Sequence, residues 1–432
     1  MPPLSHVRLR AMKRIAIVIS IFATAAHAQC DLDKILPQLD GNRMKATVDK
    51  LVSFGTRHSL SPKIVDARTW IFDELSKLPG VTVRYQSSTH SGPRTNNQPV
   101  EFVNVVATIK GTSDPDRIYI ATGHYDSVNG DQKDNTGPAP GADDDASGTA
   151  VIMELARVLA QHPAKATIVL AAVSGEEQGL YGSQGLADEA AAQKWNVEGD
   201  ITNDIVGGIS GLNGAIDNRT VRIFSANETP NAESSSRHWA RFIRDGVRQW
   251  LPNVRPFLVY RLDRYARGGD HRPFFEKGFP AVRFTEANED YRHQHQNVRV
   301  ENGVHYGDLP EFVSGDYMRV MAGVNAVALV TGACAPAAPK NVKVLIKAGQ
   351  KDTTMSWDAA GDADHYEIVL RDTTADEWEK VLPIGKVATY TIPDVTIDNA
   401  IIGVRAVGAD GRRSPVRTPP EPGARIPGRA AQ

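Results

Sequence analysis

The sequence predicts an α/β fold: a three-layer α/β/α sandwich built on a mixed, mainly parallel sheet, followed by a small all-β sandwich domain. Two apolar, β-branched runs, at 117–122 and 166–173, each pass through a loop into a helical pattern. Strands apolar on both faces belong in parallel sheets covered by helices on both sides. Beyond Cys334 the pattern changes to short strands at regular intervals, the signature of a sandwich. A chain of 432 residues also exceeds one ordinary core. Its 41% hydrophobic and 23% charged residues are those of a folded globular protein.

The N-terminus carries Arg8, Arg10, Lys13 and Arg14, then an apolar run over 15–26, then Ala26-His27-Ala28. A basic segment, a short apolar core and a small-x-small site read as a secretory signal over residues 1–28. The run falls short of the ~20 residues a membrane-spanning helix needs, and no other stretch is expected to approach that length. Cys30 lacks the preceding Leu-small-small pattern of a lipoprotein. The mature chain is therefore expected to be soluble, secreted or periplasmic, without stable membrane insertion. Removing the signal takes away four of 49 basic residues and none of 51 acidic ones, leaving a formal charge of −6. A mildly acidic chain without a basic block gives no reason to expect nucleic acid or anionic lipid as partner.

Within residues 29–334, segments 48–54 and 64–78 have helical spacing, 102–109 reads as a strand, and 149–159 begins an apolar helix. The only two cysteines, Cys30 and Cys334, lie at the two ends of this unit. In an oxidising compartment they are expected to pair and fasten the tail to the end of the domain. Residues 335–339 form a small linker. Strands are expected at 342–346, 354–357, 366–371, 389–392 and 400–407 within a sandwich spanning 340–418. Trp357, Tyr366 and the closing Gly-Val-Arg-Ala-Val run resemble a fibronectin type III module. The tail, 419–432, is rich in proline, glycine and arginine and is expected to be disordered.

Five residues spread over the first unit, His124, Asp144, Glu177, Asp204 and His295, are of the types that bind zinc through imidazole nitrogen and carboxylate oxygen. Three carboxylates and two Zn²⁺ leave one surplus positive charge, which a bound hydroxide would neutralise. His124 leaves a strand in Ala121-Thr-Gly-His-Tyr-Asp126, with Asp126 placed to take its other ring N–H. Asp143, Asp144 and Asp145 sit in a Gly-rich loop directly before an apolar helix, where concentrated acid is costly unless a cation compensates. Glu176 and Glu177 follow a buried strand, one able to hold metal while its neighbour takes a proton from water. Asp204 lies at the edge of an apolar segment, and His293 and His295 lie in Tyr-Arg-His-Gln-His-Gln-Asn over 291–297. Each of these, taken singly, has an ordinary explanation as a turn, cap or surface charge. The chain has no His-Glu-x-x-His, so the one-zinc helix motif of many proteases is absent.

Read together and in this order, from about residue 45 to 333, these motifs resemble metallopeptidase family 28, the co-catalytic zinc aminopeptidases. The resemblance includes Gly55-Thr-Arg-His-Ser59, and Gly269-Asp-His-Arg-Pro-Phe274 is similar to the family's Ser-Asp-His segment. It implies two Zn²⁺ per chain, one held by His124, Asp144 and Asp204, the other by Asp144, Glu177 and His295. It further implies Asp144 as the bridging ligand followed by a cis peptide, Glu176 as general base, and Tyr265 as support for the oxyanion. Asp126, Asp145, His293 and Asp270 are expected around the ligands. The last ligand departs from the family pattern: Asn297 stands where an aspartate commonly follows the histidine, and His293 also has a spacing to Asn297 that fits. The implied activity is removal of N-terminal residues from peptide or protein substrates. A carboxypeptidase with Arg264, Arg267 and Arg272 clamping a substrate carboxylate, a one-zinc glutaminyl cyclase, and an inactive binding protein remain alternatives.

Overall fold

The computed structural model describes residues 30–227, 233–345 and 351–420. The expected signal at 1–28 lies outside these, as do residues 421–432 of the tail and Ile346 of the first sandwich strand. Eight strands form the main sheet: β1 (Val81–His90), β2 (Val100–Ile109), β3 (Asp114–His124), β4 (Ala166–Val173), β5 (Asn196–Asn203), β6 (Thr220–Phe224), β7 (Arg255–Val259) and β8 (Ala281–Glu286). Their order is β1-β2-β4-β3-β5-β8-β6-β7. The central run β4-β3-β5-β8 is parallel, as is β6 with β7, while β1, β2 and the β6–β8 pair run antiparallel.

The helices are α1 (Leu32–Ile35), α2 (Gly41–Val52), α3 (Lys63–Ser76), α4 (Ala146–Leu159), α5 (Glu176–Gly179), α6 (Tyr181–Ala192), α7 (Ser235–Trp250), α8 (His271–Glu276) and α9 (Gly315–Cys334). Alternation along the strands divides them into two layers. Val105, Ala107 and Ile109 of β2 join a core with α2, α3, α4, α7 and α9. Val106, between them, faces the opposite layer with Leu186 of α6 and Phe274 of α8. The expected three-layer arrangement is thereby present.

Helix α2 starts at Gly41 rather than at 48, because the Asp40 side chain caps it by accepting from the amides of Asn42 and Arg43. Strands β1 and β5–β8 escaped the sequence reading; β7 is short and half-exposed, while β5 carries the acidic residues Glu198 and Asp200, both buried. The expectation that no second stretch reaches membrane-spanning length is corrected by α9. This helix is long and apolar enough by composition, yet 83% of its most apolar window is buried in the core.

A two-stranded antiparallel ribbon, β9 (Arg299–Glu301) with β10 (Val304–Tyr306), precedes α9, and the C-terminal unit contains two three-stranded antiparallel sheets. One pairs β11 (Lys340–Leu345), β12 (Thr353–Asp358) and β15 (Thr389–Ile392). The other pairs β13 (His365–Asp372), β14 (Lys380–Ile384) and β16 (Ala400–Val407). Met355 and Trp357 of one sheet share a core with Tyr366, Ile368 and Val404 of the other. Residues 335–339 are not a free linker: Ala335 and Ala338 are buried, and the Ala338 amide donates to Glu198. Arg244 of α7 reaches Asp376 and Glu377, both at 2.6 Å, tying the two units together.

Cys30 and Cys334 are joined, with Cα atoms 6.0 Å apart and a sequence separation of 304. Closing a loop of that length restricts the unfolded chain strongly. A C30S/C334S double variant is expected to lose about 2–4 kcal/mol of unfolding free energy, read as a lower denaturation midpoint in urea.

Candidate metal centre

Three neighbouring parallel strands deliver the site. His124 ends β3, Glu176 and Glu177 open α5 just after β4, and Asp204 follows β5. Carboxyl ends of parallel strands are where such sheets gather ligands. Asp144 comes from the loop capping α4, and a Cβ on Gly123 would lie 2.5 Å from the Gly148 carbonyl carbon. Only glycine lets β3 and the start of α4 approach so closely. Gly175 makes the turn between β4 and α5 with φ +77°.

The two oxygens of Asp144 face different imidazoles. Oδ1 lies 3.1 Å from His124 Nε2, and Oδ2 lies 3.1 Å from His295 Nε2. His295 Nε2 also meets Glu177 Oε1 at 2.9 Å. Two donor groups result, His124–Asp144–Asp204 and Asp144–Glu177–His295, with ligand atoms within 4.8 Å of one another in each. Asp144 belongs to both. His124 Nδ1 pairs with the Asp126 carbonyl at 3.1 Å, while its buried Nε2 has no hydrogen-bond partner. A ring that donates from Nδ1 presents a free lone pair at Nε2, the form a metal requires.

Charge makes the same point. Burial alone would raise the Asp144 carboxyl, but the imidazoles of His124 and His295 against its two oxygens hold it well below the ordinary range. Glu177 above all pushes the His295 imidazole up to about 11. Burial, then the charges of Asp204, Glu177 and Asp270, raises Glu176 well above its usual value. Four converging carboxylates with imidazole nitrogens among them suit zinc in donor type and charge.

Three further buried carboxylates hold the backbone of these residues. Asp126 accepts the amides of Glu176 and Glu177 at 3.4 and 3.3 Å. Asp145 accepts the His124 amide at 2.9 Å and caps α4 through the Gly148 amide at 2.8 Å. Asp308 accepts the amides of Asp143 and Asp144, both at 2.8 Å. The Arg57 guanidinium, fully buried, donates to the carbonyls of Tyr125, Pro140 and Gly141. It thereby ties the His124 loop to the Asp144 loop. The Asp144–Asp145 peptide is cis, as the resemblance implied.

Several expected residues stand differently. The Asp126 carboxylate is 3.5 Å from His124 Nδ1, which bonds the carbonyl of Asp126 instead; the carboxylate is taken up by the two glutamate amides. His293 is stacked on Phe312 at 3.5 Å and joins neither donor group, so His295 is the histidine brought to the site. His295 has φ +48°, strained for a residue with a side chain. Asn297 helps hold that loop by accepting the Gly130 amide at 3.1 Å. Asp270 is fully buried with both oxygens unbonded, and burial pushes it up to about 7. Tyr265 is 90% exposed and does not line the cavity of about 830 Å³ over the donor groups. Its loop turns the side chain to solvent. Asp308 had no motif to announce it, and Arg57 stood in a quoted motif without a role.

Peptidase family M28 matches residues 104–302. A probable zinc metalloprotease of Leptosphaeria maculans is 41% identical over 418 residues, covering 90% of this chain and 96% of the relative. This chain belongs to peptidase family M28. A second probable zinc metalloprotease, from Pyricularia oryzae, is 43% identical over 423 residues, covering 90% of this chain and 84% of the relative. Among solved structures, the LapA aminopeptidase of Legionella pneumophila has a TM-score of 0.54 at 18% identity, covering 73% of this chain and 78% of that one. Fimbriiglobus ruber glutaminyl cyclase has a TM-score of 0.52 at 21% identity, covering 68% and 95%. At such identities the structural likeness speaks for the fold alone. As an M28 member with zinc metalloprotease relatives and this donor set, the chain is a zinc metallopeptidase.

The backbone clamp on the bridging residue gives a test. Asp308→Asn puts an amide where a carboxylate accepts two N–H groups, and zinc affinity is expected to fall on the order of 10–100-fold, read by chelator competition. Circular dichroism should show the fold retained.

Proposed function

We propose that the chain is an exported aminopeptidase holding two zinc ions. The observation that carries this reading is the sharing of Asp144 between two complete donor groups. A pair of sites is what distinguishes it from a one-zinc glutaminyl cyclase on the same fold, and the intact groups with Glu176 beside them argue against an inactive binding protein. His124, Asp144 and Asp204 would hold one ion, and Asp144, Glu177 and His295 the other. Zinc there would supply Lewis acidity at the scissile carbonyl and lower the pKa of water.

The remaining work falls to side chains. Glu176, half-buried and lining the cavity, takes the proton of the attacking water and returns it to the leaving amine. Asp126 fixes Glu176 relative to Glu177 by binding both amides. A free substrate α-amine would be held at the metal site or by the carboxylates beside it, which selects the N-terminal residue. Export is supported by the N-terminal basic and apolar segments and by the joined cysteines. The paired three-stranded sheets support a fibronectin type III-like module over 340–418.

Glu176→Gln is expected to keep two zinc ions per chain by elemental analysis while kcat falls on the order of 10²–10⁴-fold. Asp144→Ala should lose both ions. A peptide-library digest read by mass spectrometry should show N-terminal trimming that chelator abolishes; trimming from the other end would replace this reading with a carboxypeptidase.

A further inference from the structure

The floor of the cavity is acidic, but one wall is basic. Arg94, Arg264, Arg267 and Arg272 all line it. Three of them are occupied. Arg264 Nη1 is 2.6 Å from Glu289, Arg272 Nε is 2.7 Å from Glu276, and Arg94 donates to the Glu177 carbonyl. Arg267 differs. Among the described residues its nearest carboxylate is Glu289 at 3.9 Å, and its only side-chain hydrogen bond there is a long one to Gln294, 3.5 Å.

Glu289 has little left to offer, because Arg222 holds its other oxygen. Asp263 is likewise shared between Arg264 and Arg283, and Arg283 also reaches Asp204. Four guanidiniums, those of Arg222, Arg264, Arg267 and Arg283, thus have three carboxylates. One of the three, Asp204, is a member of a metal donor group. This cluster carries surplus positive charge, and two of its members, Arg264 and Arg267, line the cavity. Arg267 is also oriented: its guanidinium sits over the Tyr291 ring, 5.5 Å from the centroid. A planar guanidinium held by a ring and short of an acid is a ready partner for a carboxylate.

We propose that Arg267, backed by Arg264, receives a carboxylate of the substrate, so that the enzyme favours peptides presenting one inside the cavity. The chemistry is the same whether that carboxylate is the free C-terminus of a short peptide or an acidic side chain. The inference rests on the proposed use of this cavity for N-terminal trimming.

The test uses the full-length, zinc-loaded chain and two matched pairs of tripeptides. Leu-Ala-Ala as free acid against its C-terminal amide reports the terminal carboxylate. Leu-Glu-Ala amide against Leu-Gln-Ala amide reports the side chain. The ratio of kcat/KM within at least one pair should favour the carboxylate by about tenfold or more, and that ratio should fall with added salt. In R267M it should approach one, with the loss in KM; R267K, which keeps the charge but not the fork, should restore part of it. Arg267 is partly exposed, with 37% of its side chain accessible, so both variants should fold. Ratios near one in both wild-type pairs, or ratios unchanged in R267M, would overturn the proposal. Product masses report separately which residue is lost, so release from the C-terminus would refute N-terminal trimming while the ratios still judge Arg267.

Discussion

Negative charge buried at the ends of three parallel strands is the constraint that shapes this protein. Asp126, Asp144, Asp145, Asp204, Glu177 and Asp308 are all at least nine-tenths buried within one small region. Carboxylates taken out of water this way are costly unless each finds hydrogen bonds, a counter-charge or a metal. The fold answers in three ways. Asp126, Asp145 and Asp308 bind backbone amides, Asp204 meets Arg283, and Asp144 and Glu177 face imidazoles. The oxygens of the last pair, with the free nitrogen of His124, are what a pair of metal ions would complete.

The amide clamps also explain how loops can be held to catalytic tolerance. Residues on loops lack the ladder of a strand or helix to fix them, and zinc ligands must be correct to fractions of an ångström. Asp308 grips the two amides leading into the bridging residue, and Arg57 joins the loops on either side. The rest of the molecule braces this arrangement from behind. Helix α9 fills the core under β3, β4 and β5, the disulfide pins its end, and the sandwich packs on α7 through Arg244. The active face is left open, with an acidic floor and a basic wall.

How much of this was legible depended on sequence distance. Residues whose partners are near in the chain announced themselves. His124 with Asp126, the three aspartates before α4, and Glu176 with Glu177 each formed a local pattern with a chemical reason. The strands that end in these motifs, β3 and β4, were also readable, because continuous apolar β-branched runs are distinctive. Strands β5 and β7 were not, since Glu198 and Asp200 interrupt one and partial exposure dilutes the other. Asp308 was invisible because its partners lie 165 and 164 residues away.

Residue chemistry and order alone therefore determined the kind of site, the metal its donor atoms suit and the layer architecture, since those follow from local periodicity and from which atoms bind zinc. Only the tertiary structure decided between His293 and His295, because each has a spacing to Asn297 that fits a version of the pattern and just one is turned toward Asp144 rather than stacked on Phe312. It also moved Tyr265 out of the cavity and set Arg267 in its wall. Such choices rest on side-chain direction across loops, which no pattern along the chain records.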